Sequence, residues 1–130
     1  TLGKPLDPIS QDACAFYETQ AMYKDFSGVV EEVDDGDEIA KALGDKKVII
    51  LQNHGILTTG PSVDIALWFY MSMERCCQAQ LMAEAAGNPV IIPHETAVKT
   101  REFIANDIAA WASYQPAYDM IIKREPDLLD

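Results

Sequence analysis

The histidine at position 54 is the residue of this sequence best placed to do chemistry. It lies in the turn sequence Asn53-His54-Gly55, between the apolar run Val48–Leu51 and a second apolar segment that begins at Ile56. A histidine at a strand end can point into a cleft and ligate zinc or another divalent metal. A catalytic zinc takes three protein ligands, so His54 alone is not a site. From spacing alone, a metal ligand and a hydrogen-bonded structural histidine both stay open, and the structural role is favoured.

The other candidate groups have simpler structural interpretations. His94 follows a proline and precedes a predicted helix, which is typical of a helix boundary. The sequence has three cysteines, Cys14, Cys76 and Cys77. An odd number with two adjacent members does not indicate a disulfide framework, and the absence of a CxxC pair gives no indication of a zinc site. Reduced thiols of a cytoplasmic protein are the favoured interpretation. No phosphate-binding glycine loop and no GxSxG nucleophile sequence is present, so the catalytic residues stay unknown.

Composition narrows the class of protein. The chain has 130 residues, a formal net charge of −11 and 48% hydrophobic residues, which suits one domain with a real core. The negative charge argues against binding to nucleic acid or to anionic membranes, because both attract basic surfaces. The sequence shows neither a signal peptide at its start nor an apolar run of roughly 18 residues, so no membrane association is expected.

The elements that must position His54 follow an α/β order. The second apolar segment ends at Gly60, and Ser62 can cap the long helix after it. The next predicted helix ends at Pro116, since proline removes a backbone donor. The predicted elements are a short helix over residues 10–17, a strand over 21–30 with a bend at Gly28, a helix over 37–43, strands at Val48–Leu51 and 56–59, the long helix Val63–Ala86, and a helix over 95–115.

Two further segments invite functional interpretations. Residues 31–38 include six acids in eight positions, but the ligand spacing of an EF-hand is missing, so a solvated loop leading into a helix is favoured over a calcium site. The first half of the long helix is apolar almost all round, which predicts cover on more than one side. That cover would come from the sheet and from a neighbouring subunit or another part of the chain.

The region around His54 resembles the class II aldolase/adducin domain. The family pattern is an apolar strand, Asn-His-Gly, a second strand ending in glycine, and a long helix with Glu-Arg near its middle. Residues 53–55, Gly60, Ser62-Val63 and Glu74-Arg75 match it. Residues 5–18 and 115–130 also resemble an adducin-like branch of fungal and bacterial proteins, so the resemblance covers nearly the whole chain.

The resemblance implies a three-layer α/β/α fold with a central, mostly antiparallel sheet, and often a homotetramer with active sites between subunits. Enzymes of the family, such as sugar-phosphate aldolases, hold a divalent metal, usually zinc, on three histidines. His54 matches the third of these. The metal would act as a Lewis acid that stabilises an enediolate while a carbon–carbon bond breaks.

The sequence departs from the family pattern at its start. The His-x-His sequence that supplies the other two ligands, and the acid/base glutamate, lie upstream in the family and are absent here. Residues 1–130 are therefore expected to be the C-terminal portion of one such domain, truncated at its N-terminus and inactive by itself as a metal lyase. An uncovered apolar face would favour self-association into a homo-oligomer.

Three functional hypotheses follow. The first is a metal-dependent lyase that cleaves a sugar-phosphate-like substrate by an aldol reaction once its missing ligands are supplied. The second is a non-catalytic, adducin-like interaction module. Its basis for binding actin or the cytoskeleton is slight, because the tail over residues 123–130 is short and mixed in charge. The third is a repurposed enzyme with a pocket at an oligomer interface, lined by Trp68, Tyr70, Trp111 and Tyr114, although a core role is favoured for these aromatic residues.

Overall fold

A short sheet forms the centre of the molecule. The computed structural model describes residues 2–25 and 33–129, with side chains described from residue 36 onward in the second range. The strands β1 (Gln20–Tyr23), β2 (Val48–Leu51) and β3 (Gly55–Thr58) lie in that order across the sheet. β1 runs parallel to β2, and β2 runs antiparallel to β3. The α/β architecture predicted from the sequence is therefore confirmed, and the described sheet is mixed.

The central strand β2 is buried on both of its faces. Val48 and Ile49 are both 0% exposed, and successive side chains of a strand point to opposite faces. Val48 packs into the main core cluster, which includes Phe69 of the long helix, whereas Ile49 lies on the other face. Helices must therefore cover both faces of the sheet, as the expected α/β/α layering requires. The continuous apolar run of β2 was the correct signal for this strand.

The first part of the chain differs in detail from the prediction. The short helix near the N-terminus is a 3-10 helix at Asp12–Phe16, and Phe16 packs edge-on against Phe69 with ring centroids 6.2 Å apart. Strand β1 confirms the start of the predicted strand over 21–30, but it ends at Tyr23, and residues 24–25 are not in the strand. Residues 26–30, with the bend expected at Gly28, lie outside the described residues. Helix α1 (Val33–Leu43) begins four residues before the predicted start of 37, so part of the acidic run is helical.

The long helix α2 (Val63–Ala86) has the predicted bounds. Ser62 caps it, because its Oγ accepts a hydrogen bond from the N–H of Ile65. Gly60 is required before it, since a Cβ there would lie 2.8 Å from a backbone nitrogen of α2. One face of α2 is buried, at intervals of three and four residues. The buried residues of that face are Ile65, Phe69, Met73, Cys76 and Gln80.

The opposite face of the first half of α2 is exposed in the single chain. Val63 is 79% exposed, and Leu67, Tyr70 and Met71 are also exposed. These four residues recur at intervals of three and four and thus form one stripe, which is called the α2 stripe below. The sequence predicts that a second surface covers this stripe, and that expectation stays a prediction.

The last predicted helix is two helices. α3 (His94–Ile104) ends before Asn106, whose side chain caps α4 (Asp107–Arg124) by accepting a hydrogen bond from the N–H of Ala109 at 2.9 Å. The prediction of a single helix ending at Pro116 was wrong, because Pro116 lies inside α4. α4 packs along α2. No helix within residues 2–25 and 33–129 has the length and apolarity needed to cross a membrane.

Candidate functional site

The turn between β2 and β3 presents His54. Asn53 has a φ of 61°, in the left-handed region, which asparagine tolerates better than most residues. The N–H of His54 donates a hydrogen bond to the carbonyl of Leu51 at 3.0 Å, which closes the turn. The His54 side chain is exposed. The Asn-His-Gly sequence therefore builds a tight turn that carries the imidazole at the end of a buried strand.

A cavity of about 290 Å³ lies beside His54. The first of its walls is the N-terminal segment, residues 2–6, and the second is formed by residues 50–56 of β2, the turn and β3. The third wall is the second half of α2. Apolar side chains predominate in the lining: Leu2, Pro5, Leu6, Met22, Ile50, Leu51, Ile56 and Leu81. A mostly apolar cavity with a few polar groups is typical of small-molecule sites.

The polar groups of the α2 wall are Glu74, Cys77 and Gln80. Glu74, Cys77 and Leu81 are three and four residues apart, so they share one face of the helix. Glu74 belongs to the Glu-Arg pair that marks the family pattern, and the structure brings it to the same cavity as His54. The Asn-His-Gly turn and the Glu-Arg pair of the pattern are therefore close in space, although about 20 positions separate them in the sequence.

The cysteine thiols near this wall are neutral at pH 7. Burial raises the pKa of the Cys77 thiol, and the negative charge of Glu74 raises it further. Burial also raises the pKa of Cys76 to about 12, with smaller contributions from Asp12, Cys77 and Cys14. The thiolate is the form that attacks substrates and binds metals. Cys77 thus lines the cavity as a neutral group, and all three cysteines are free.

The described residues do not form a complete metal centre. Over residues 2–25 and 36–129, no group of three His, Cys, Asp or Glu side chains is close enough to hold a metal ion. A zinc centre with three protein ligands needs such a group. These residues alone therefore do not fit a complete zinc centre, and an imidazole such as that of His54 could supply one ligand only.

The other predicted candidates lie away from this cavity. His94 begins α3, as expected of a boundary residue, and its Nδ1 is 3.1 Å from the hydroxyl of Tyr17. None of the four aromatic residues proposed for an interface pocket lines the cavity beside His54. Trp68 packs on the core, whereas Tyr70 and Trp111 are exposed.

No pattern in the sequence predicts the N-terminal wall of the cavity. Gln80 of α2 is 4% exposed and accepts a hydrogen bond from the N–H of Asp7. Gln20 hydrogen-bonds to Leu6 in the same segment. The buried stripe of α2 could have suggested Gln80, because it continues the spacing of Phe69, Met73 and Cys76.

The chain is similar to several known proteins. The sequence model described as "Class II Aldolase and Adducin N-terminal domain" matches residues 1–81. The chain is 42% identical over 126 residues to "Decarboxylase NovR" of Streptomyces niveus, covering 97% of this chain and 47% of that protein. It is 36% identical over 84 residues to alpha-adducin of Rattus norvegicus, covering 63% of this chain and 11% of that protein.

A solved structure shows the same fold. The L-fuculose 1-phosphate aldolase of Glaciozyma antarctica superimposes with a TM-score of 0.85 at 36% sequence identity, over 97% of this chain and 47% of that one. The chain spans about half the length of the first curated relatives it matches. The matched sequence model, the identities and the shared fold together show that this chain belongs to the class II aldolase and adducin family.

Proposed function

We propose that this chain forms one wall of the active site of a carbon–carbon lyase of the class II aldolase type. In this proposal His54 is one ligand of a divalent ion, with zinc as the expected ion. The observation that carries the proposal is the position of His54, which a left-handed turn holds at the edge of a cavity of about 290 Å³. An aldolase and a decarboxylase are among the similar proteins, and both reactions break a carbon–carbon bond.

The metal ligands that accompany His54 would come from outside the described residues. A bound divalent ion supplies Lewis-acid stabilisation of negative charge on a substrate oxygen. The residues of this chain have other tasks. The apolar walls exclude water, which strengthens electrostatic interactions inside the site. His54 holds its place without a substrate, because the hydrogen bond from its own N–H closes the turn.

The lining favours an uncharged, apolar portion of the substrate at this wall. Lys4 is the one lysine or arginine among the described lining residues, and it already pairs with Glu84. A phosphate group is normally held by free cationic side chains or backbone N–H groups. If the complete site takes a sugar-phosphate-like substrate, we expect the phosphate to bind elsewhere in the site.

A chimera tests the role of His54. This chain superimposes on 47% of the Glaciozyma antarctica aldolase, so the half of that aldolase that it does not match can supply the rest of the domain. Joined to that half, the chain should hold about one divalent ion per polypeptide, measured by inductively coupled plasma mass spectrometry. His54→Ala should remove most of the metal, whereas the control His94→Ala should retain it. The 130-residue chain alone should hold no stoichiometric metal. Undiminished metal in a folded His54→Ala chimera would overturn the proposal.

A non-catalytic interaction module is the second candidate. The exposed α2 stripe supports it, because contiguous apolar surface marks sites of protein association. The likeness to alpha-adducin supports it as well. A folded chimera without bound metal, together with self-association through the α2 stripe, would favour this candidate over the lyase.

A further inference from the structure

The side chain of Gln80 is a buried amide with every hydrogen-bonding group in use. It is 4% exposed, and it is the one buried polar side chain among the described residues. Its Oε1 accepts a hydrogen bond from the N–H of Asp7 at 2.7 Å. Its Nε2 donates to Oδ2 of Asp7 at 3.2 Å and to Oε1 of Glu84 at 2.9 Å. A buried amide is stable only when it is paired in this way.

Gln20 makes a similar pair of hydrogen bonds to Leu6, the residue that precedes Asp7. Its Oε1 accepts from the N–H of Leu6 at 2.8 Å, and its Nε2 donates to the carbonyl of Leu6 at 2.7 Å. Pro5 and Pro8 have no N–H to offer. Both backbone donors of residues 5–8 are therefore held by a glutamine side chain, one from β1 and one from α2.

The segment held by these amides is a wall of the His54 cavity. Residues 2–6 line that cavity, and Leu6 is 5% exposed. The segment lies outside the sheet and the helices, so no regular backbone ladder holds it in place. The exposed pair of Lys4 and Glu84 adds little, since surface ion pairs are weak. The two amides are thus the principal polar anchors of the wall.

We propose that Gln20 and Gln80 are positioning residues that hold residues 3–7 against the cavity and thereby set its width beside His54. The role of that width in substrate selection rests on the proposed function, but the anchoring itself does not. Loss of either amide leaves a backbone N–H of the segment without its partner, so the wall opens locally, and Leu6 moves with it while the rest of the core stays packed.

Cys77 provides a direct probe of that opening. It lines the cavity and is half-buried, whereas Cys14 and Cys76 are buried in the core. Gln80→Met keeps the size and neutrality of the side chain but removes its hydrogen bonds to Asp7. We expect iodoacetamide to label Cys77 roughly tenfold faster in this variant, the factor that corresponds to about 1.4 kcal/mol of easier opening. Peptide mass spectrometry assigns the label to each cysteine.

The controls separate anchoring from general stability. Gln78→Met makes the same change at an exposed position of α2 and should leave the labelling of Cys77 unchanged. Gln20→Met should accelerate it, as Gln80→Met does. Global destabilisation would accelerate Cys14 and Cys76 in parallel with Cys77, and such a result would refute a positioning role.

A measurement on the unmodified chain keeps the proposal testable if the variants do not fold. Amide hydrogen exchange followed by nuclear magnetic resonance should show protection at Leu6 and Asp7, and much less at Lys4. Exchange of Leu6 and Asp7 at the rates of an unstructured peptide would overturn the proposal. Neither readout depends on metal or turnover, so failure of the lyase proposal would leave this result intact, and the reverse also holds.

Discussion

The left-handed residue Asn53 offers a quantitative test of how His54 is positioned. Its φ of 61° places a Cβ close to the following carbonyl oxygen, which costs about 1–2 kcal/mol for residues other than glycine and asparagine. A β-branched side chain is especially unfavourable there. Asn53 is exposed, so a substitution changes little packing. Asn53→Val should therefore lower the free energy of unfolding by about 1–2 kcal/mol. Asn53→Gly should have a much smaller effect, because glycine adopts this conformation readily.

Urea denaturation measures the change, and an unaltered m-value would show that only stability has changed. Asn88→Val is the matched control, since Asn88 is exposed and does not have a positive φ. The position of the imidazole can be followed through its ring proton resonances, which should move in Asn53→Val and stay in place in Asn88→Val. If Asn53→Val is as stable as Asn88→Val, the turn does not hold His54 in the manner described.

Three further predictions concern the elements around the site. Gly60→Ala should destabilise the chain by about 1–3 kcal/mol, because overpacking at the β3–α2 junction forces the backbone apart. Gly36→Ala is the control, since a Cβ at Gly36 would meet open space and should not destabilise the chain. Thermal unfolding compares the two variants. The free energy of unfolding should fall as pH rises from 9.0 towards 12, because the unfolded Cys76 thiol ionises first, and Cys76→Ala should flatten this slope. Sedimentation should show self-association that Leu67→Lys and Met71→Lys weaken, and a monodisperse monomer before substitution would contradict the role of the α2 stripe.

The elements that the sequence predicts best are those whose own pattern decides their structure. β2 is a continuous apolar run between polar residues, and burial on both faces follows from that run. α2 has a serine cap at one end and a glycine at the other, so its bounds are encoded locally. His54 lies between these two elements, and for that reason its place at a strand end was predictable.

The boundary between α3 and α4 and the end of α4 were mispredicted because two local signals compete there. Asn106 satisfies the first backbone donors of α4, and this cap divides a segment that is helix-forming throughout. Pro116 removes one donor from α4, yet the packing of α4 along α2 keeps the helix continuous. Tertiary contacts thus outweigh a local penalty of about 3 kcal/mol, which no inspection of the segment alone reveals.

The N-terminal wall of the cavity was unpredictable for a different reason. Gln80 and Asp7 are 73 positions apart, and a hydrogen bond from a side chain to a distant backbone N–H produces no periodic pattern. A glutamine on a helix also has the composition of a solvated position. Gln80 can be buried because Asp7 and Glu84 accept hydrogen bonds from its amide. An unpaired amide in the same place would destabilise the fold. The polar residues that shape this cavity are therefore determined by the packed structure, whereas the imidazole beside it is determined by the local turn.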